Sequence, residues 1–237
     1  MPAPLRPFVL AVAVLFALAA GAPAARADAF TPAQRAEIVQ IMRQALQQDP
    51  SILRDAIGAL QAEDAKREAA AVQPGDPAAG NPKGAVTIVE FFDVRCPYCR
   101  QMNPVVAALL QRDHDVRVVY KDLAILGPAS VLASRALLAA QRQGGYLKLR
   151  AALMASPPDI TEATIQAAAT KLGLDWPRLR RDMADPAIMR RLRANVAAAQ
   201  ALGIDGTPAF LVGHTLIPGA VDLADLEKAV AAAKAQG

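Results

Sequence analysis

The sequence predicts an α/β sandwich carrying a helical insertion, preceded by an N-terminal helical arm, and three observations predict it. A β-prone apolar run, Val86-Thr-Ile-Val-Glu-Phe-Phe92, leads through a Cys96-Pro-Tyr-Cys99 turn into a helix. From Ala129 to Leu202 the pattern is helical throughout. Then Ala209–Val212 and Thr215–Ile217 make a hairpin around Gly213-His214, and a closing helix runs from Leu223 to Ala235. Strand and helix first, helices in the middle, and hairpin plus helix last is the element order of a sheet with helices on its faces.

The elements follow in chain order. Residues 1–27 read as a signal peptide: Arg6 supplies a basic start, Phe8 to Ala20 is unbroken apolar chain, and Ala25-Arg26-Ala27 fits a cleavage site near Ala27. The run is shorter than the about 20 residues of a membrane span, although an uncleaved N-terminal anchor is the alternative. Removing it takes away Arg6 and Arg26 and no acid. The net charge of +4 from 26 basic and 22 acidic residues then falls to +2, with 24 against 22. A balance that slight is no argument for nucleic-acid binding.

Residues 28–72 form the arm. Thr31 is placed to cap a helix with Pro32 first and Gln34 as reciprocal partner, and Ile38, Met42 and Ala45 follow at helical spacing. Asp49-Pro50 restarts a second helix with Leu53, Ile57 and Leu60 along one face. Two such helices cannot bury a core alone, so their faces are expected to meet another copy of the chain, or else the chain's own main domain. Residues 73–83, rich in Pro and Gly and without periodicity, read as a linker.

Beyond it, Val116–Tyr120 is a second strand, and Pro104 is expected to kink the preceding helix near Arg100. Within the insertion, about 129–202, one helix ends at Gly144-Gly145 and another stops before Pro157-Pro158. Thr161, Asp175 and Asp185 cap the three that follow. Trp176 is expected to plug the core. Arg178, Arg180, Arg181, Arg190, Arg191 and Arg193 are expected on solvated faces.

The chemistry gathers at the turn. With Pro97 at the first helical position, Cys96 is the N-cap and Cys99 lies in the first turn. Unpaired N–H groups and the positive end of the helix dipole favour a thiolate on Cys96, and Arg95 pushes the same way. Cys96 is therefore the candidate nucleophile and Cys99 the resolving thiol. Export delivers the chain to an oxidising compartment, yet it has just two cysteines, both in this motif, so chemistry explains them better than stapling does. A zinc site would need about four ligands, and there is no third cysteine and only His114 and His214 to recruit. Glu90, a carboxylate inside an apolar strand, must be neutral, paired, or turned to water at an edge. Asp93 is expected to be solvated or to cap a neighbouring N–H. Gly206-Thr207-Pro208 precedes the hairpin, where a proline requires an edge or bulge.

These stretches together resemble the thioredoxin-fold thiol–disulfide oxidoreductases of the DsbA type. The resemblance rests on Glu90-Phe-Phe-Asp-Val-Arg-Cys-Pro-Tyr-Cys99, the helical block, and Gly206-Thr-Pro208, and spans residues 84–237, the catalytic domain. It implies a thioredoxin fold and a cis Pro208 beside the Cys96 sulfur. Thr207 would offer its backbone to an extended client, with Pro97 and Tyr98 beside it. It implies Glu90 as a buried acid that helps proton transfer from Cys99, and no cofactor beyond the redox-active disulfide Cys96–Cys99. The arm, with Thr31-Pro and Asp49-Pro50, Asn81-Pro82 and Ile125-Leu-Gly127 look most like the Scs-type proteins linked to copper sensitivity; Ala124, where relatives often carry proline, departs from them. That likeness implies a periplasmic, oligomeric disulfide isomerase or reductase acting on unfolded or misfolded exported proteins. Residues 28–72 would join the copies, and a membrane thiol reductase or oxidase would be the redox partner. A monomeric dithiol oxidase and a copper-binding thiol module are the alternatives.

Overall fold

A computed structural model describes residues 30–236. The expected signal peptide lies outside the described residues. Contacts divide the chain into two units, one ending at Ile57 and the other beginning at Gly58.

The first unit holds α1 (Pro32–Gln48) and the start of α2 (Ser51–Ala71). The capping box forms as the sequence suggests. Thr31 Oγ1 accepts from the Gln34 amide at 3.3 Å, and Gln34 Oε1 accepts from the Thr31 amide at 2.9 Å. No residue of α1 is buried, and Ile38, Ile41, Met42 and Leu46 all present exposed side chains.

In the second unit, the end of α2 enters the core. Ala71 is buried in an apolar cluster with Val89, Phe91, Val119 and Leu211. The stretch expected as linker is not free chain. Ala78–Gly80 is a strand, β1, paired antiparallel to a neighbour by Ala78 opposite Val119 and Gly80 opposite Arg117. Gly80 takes φ +80°, and a Cβ there would lie 2.4 Å from the Val116 carbonyl oxygen, so only glycine fits. Asp76 is buried, its Oδ2 2.7 Å from Lys121 Nζ and its Oδ1 2.7 Å from the Arg191 guanidinium. Arg191 also donates to the Pro74 carbonyl, so it departs from the solvated face expected of it. A three-residue strand of small side chains has no period to read, and a partner's charge more than a hundred residues away leaves no local mark.

The sheet is completed by β2 (Val86–Phe92), which leads into α3 (Pro97–Arg112), and by β3 (Val116–Asp122). The helical block follows as α4 (Pro128–Gln141), α5 (Tyr146–Ala155), α6 (Glu162–Lys171), α7 (Trp176–Met183) and α8 (Pro186–Ala201). β4 (Ala209–Val212), β5 (Thr215–Pro218) and α9 (Leu223–Lys234) close the chain. Strand order is β1-β3-β2-β4-β5, with β2 and β3 parallel and the other pairs antiparallel. This is the thioredoxin arrangement: a βαβ unit and a ββα unit share one sheet, with the helical block inserted between them.

β2 is central and covered on both faces, which is why its sequence is nearly all apolar. Val86, Ile88 and Phe92 join the core that holds both cysteines and most of the helical block, while Val89 and Phe91 face the other layer. α3 runs on through Pro104. α4 is the hub of the insertion, packed on α5, α6, α7 and α8; Ala133, Ala136 and Ala140 give it the small surface that close helix packing needs. Trp176 is half-buried against this core.

Candidate active site

The dithiol sits where the sequence places it. Cys96 has extended backbone (φ −65°, ψ 122°) and caps α3, its Sγ accepting from the Cys99 amide at 3.5 Å. One otherwise unpaired N–H of the first turn thus points at the sulfur, the geometry that offsets negative charge there. The Cys96 thiol donates to the Thr207 carbonyl oxygen at 3.3 Å, and the Thr207–Pro208 peptide is cis. Pro208 stands just outside β4, where a missing N–H costs the ladder nothing, and its own carbonyl accepts from the Gly219 amide at 2.9 Å. Cys96 and Cys99 are both free thiols. Cys99 has no exposed surface, and burial pushes its thiol well above the ordinary range. Pro97 is exposed and Tyr98 keeps 59% of its surface in solvent, so both face whatever approaches the turn.

Asp93 and Arg95 brace this turn. Asp93 is fully buried rather than solvated, and it caps three backbone donors. Its Oδ1 takes the Arg95 amide at 2.8 Å, and its Oδ2 takes the amides of Ile125 and Leu126 at 3.0 and 3.1 Å. The Arg95 side chain donates to the carbonyls of Pro158 and Leu126, so its guanidinium is spent on loops. Arg100 likewise donates to the carbonyls of Val94, Met154 and Ser156, tying the first turn of α3 to the end of α5.

Glu90 is on the central strand with no exposed surface, between Tyr120 on β3 and Phe210 on β4, which rules out the water-facing edge position. It is paired: Arg150 of α5 donates to its Oε1 at 2.9 Å. Burial pushes the Glu90 carboxyl up and the guanidinium opposes it. The same Arg150 donates to Asn103 Oδ1 on α3 at 2.7 Å and lies over the rings of Phe92 and Tyr120, 4.4 and 4.2 Å from their centroids. Nearby, Tyr146 donates to Asp122 at 2.8 Å, and burial pushes that carboxyl up to about 7. Sequence reasoning missed Arg150, Asn103 and Asp122. The signal was there for Arg150, which shares an apolar stripe with Tyr146, Leu149 and Leu153, an odd place for a cation.

His114 and His214 are exposed and apart from this cluster in the fold. Among the described residues, no three His, Cys, Asp or Glu side chains gather as a metal site would need.

Fold and site together define a thiol–disulfide oxidoreductase of the thioredoxin fold. The chain belongs to the DSBA-like thioredoxin domain family, whose model matches residues 87–231. Among solved structures it is similar to a thioredoxin-like oxidoreductase from Silicibacter pomeroyi DSS-3. That match is 42% identical with a TM-score of 0.67 and covers 69% of this chain and 94% of that one. It is also similar to ScsC from Proteus mirabilis, in a linker-deletion variant: 29% identical, TM-score 0.66, covering 88% and 99%. A periplasmic thioredoxin-like protein from Salmonella enterica serovar Typhimurium is 33% identical with a TM-score of 0.63, covering 71% and 96%. The curated relatives are longer. The Na+/H+ antiporter NhaA 3 of Salinispora tropica is 33% identical over 156 residues, which are 65% of this chain, and the chain spans about a quarter (24%) of its length. Among the described residues no helix is long and apolar enough to cross a membrane.

Proposed function

We propose that this protein is a periplasmic disulfide isomerase or reductase, assembled as a homo-oligomer through residues 28–72. The observation that carries the oligomer is the unburied apolar stripe of α1, where Ile41 and Met42 each leave 58% of their surface in solvent. Such a stripe is costly in water and marks a surface made for a partner. The likeness to ScsC supports the same reading, because it covers 88% of this chain and so extends past the catalytic domain. Several tethered copies of Cys96 raise the local concentration of nucleophile around one misfolded client. The clients are unfolded or misfolded exported proteins, and a membrane thiol reductase returns the pair to the dithiol.

The reaction follows from the site. The Cys96 thiolate attacks a client disulfide, one client sulfur leaves as thiolate, and a mixed disulfide joins Cys96 to the other. Main-chain pairing to Thr207 holds the extended client beside the sulfur without reading its side chains, and Pro97 and Tyr98 flank it. In isomerisation a client thiolate then attacks the mixed disulfide and frees Cys96, with no net oxidation. In reduction, the Cys99 thiol gives its proton to the Glu90 carboxylate and the sulfur attacks Cys96. The client leaves as a second thiol, and a Cys96–Cys99 disulfide remains. The buried Cys99 needs such a base because it holds its proton tightly.

Deletion of residues 28–72, with sedimentation and refolding of a scrambled client measured on one preparation, tests this. The full chain should sediment as an oligomer, and the truncated one as a monomer with weakened isomerase activity. A truncated form of unchanged size would defeat the oligomer. A monomeric full chain that only oxidises reduced clients would be a dithiol oxidase instead. Unchanged refolding by Cys96→Ser would remove the enzymatic reading.

A further inference from the structure

We propose that Arg150, carried by the helical insertion, is the positioning residue that keeps Glu90 ionised and aimed to take the proton of Cys99. This rests on the reading of Glu90 as the proton acceptor.

The guanidinium is held by four contacts. Glu90 and Asn103 take hydrogen bonds from it at 2.9 and 2.7 Å, and it lies over the edge-to-face rings of Phe92 and Tyr120. Its side chain is 4% exposed. Asn103 stands four residues after Cys99 on α3, so the two share a helix face about 5–6 Å apart. Strand alternation puts Glu90 on the same side of the sheet as Ile88 and Phe92, which pack in the core with both cysteines. Arg150 therefore links the carboxylate to a residue one helical turn beyond the resolving cysteine. Glu90 Oε2 has no hydrogen-bond partner among the described residues, so one oxygen stays uncommitted.

Without this cation, a carboxyl with no exposed surface would keep its own proton and have no room for another. The other groups facing the pair do not replace it. β3 contributes Tyr120 and Asp122, α5 contributes Tyr146, and α3 contributes the neutral Asn103. From β4 the residue opposite Glu90 is the apolar Phe210. Arg150 is the one cation in that set. A purely structural ion pair is the competing explanation, since a buried pair can tie a helix to a sheet with no part in chemistry.

Stopped-flow mixing of the reduced full chain with a fluorescent disulfide peptide separates the two readings. Capture by Cys96 depends on peptide concentration, and release by Cys99 does not. The release phase should rise with pH through the ionisation of Glu90. Arg150→Met should move that midpoint up by at least about one unit and slow release about tenfold or more near neutrality, with capture unchanged. Arg150→Lys should restore most of the rate. In a Glu90→Gln background, where the pH limb is gone, Arg150→Met should have no further effect on release. Equal slowing of capture and release, or undiminished slowing in the Glu90→Gln background, would make the pair structural and overturn the proposal. If Glu90→Gln removes the limb while Arg150→Met leaves its midpoint in place, the proposal alone fails. If Glu90→Gln leaves the limb in place, the reading of Glu90 fails and takes the proposal with it. Should Arg150→Met not fold, Asn103→Leu loosens the guanidinium without stranding a charge. It should raise the midpoint in the same direction, and an unmoved midpoint overturns the proposal.

Discussion

Cys96 Sγ lies 3.3 Å from the carbonyl oxygen of Thr207, a residue 111 positions further along the chain. That contact makes one site from two separate parts, the start of a helix and the start of a hairpin. It also sets the order in which the two sulfurs meet a reagent. Cys96 lies at the surface turn against the Thr207–Pro208 loop, while Cys99 has no exposed surface and holds its proton.

Limiting iodoacetamide on the reduced protein should therefore modify Cys96 at least about tenfold faster than Cys99. Mass spectrometry of the digested product gives the ratio. Faster labelling of Cys99 would reverse the assignment of nucleophile and resolving thiol.

Asp93 accepts from three backbone amides, two of them on the Ile125–Leu126 loop. Asp93→Ala strands those donors and should lower stability by about 3 kcal/mol, because each buried N–H left without its partner costs about 1–3 kcal/mol. Hydrogen exchange at the Ile125 and Leu126 amides should quicken along with the loss in urea unfolding. Unchanged exchange there would show that the loop is held by something else.

Asp76 joins Lys121 and Arg191 at the root of β1. Removing one member of a buried pair leaves the other uncompensated, so Asp76→Ala should cost about 3–5 kcal/mol. Lys121→Met in the same chain should recover part of that loss. Denaturant midpoints of the two single variants and the double variant measure the coupling, and strictly additive losses would show there is none.

Asp122 gives stability a pH dependence of known sign. Its carboxyl goes from an ordinary 3.8 to about 7 in the fold, with burial as the first cause. The contribution is complete below about pH 4, where both states are protonated. It falls as pH rises, because the unfolded chain ionises first, and it is gone above about pH 7. Relative to Asp122→Asn, the protein should lose roughly 4 kcal/mol between pH 4 and pH 8. Parallel stability curves for the two would refute the assignment.

Much of this molecule was legible residue by residue. The caps at Thr31, Thr161, Asp175 and Asp185 each accept from the helix they start, as their side chains and the prolines or threonines behind them suggest. Cys96 and Cys99 needed only the strand before them and Pro97 between them. Residues 73–83 misled because proline and glycine mark loops reliably, and a short strand of alanines adds nothing against them. Asp93 was legible in part. Its cap on the neighbouring Arg95 amide is the one its place suggests, whereas its burial and its two other donors come from a loop some thirty residues later, and no spacing rule connects those.

The sequence alone determined the described elements other than β1, their order and the two sulfurs at a helix start, because capping, periodicity and turn chemistry act between near neighbours. Only the tertiary structure decided that Arg150 meets Glu90, that Asp76 meets Lys121, and that Thr207 meets Cys96. Burial makes those charges and thiols depend on single partners, and which partner arrives is a matter of how the sheet and the helical block close on one another.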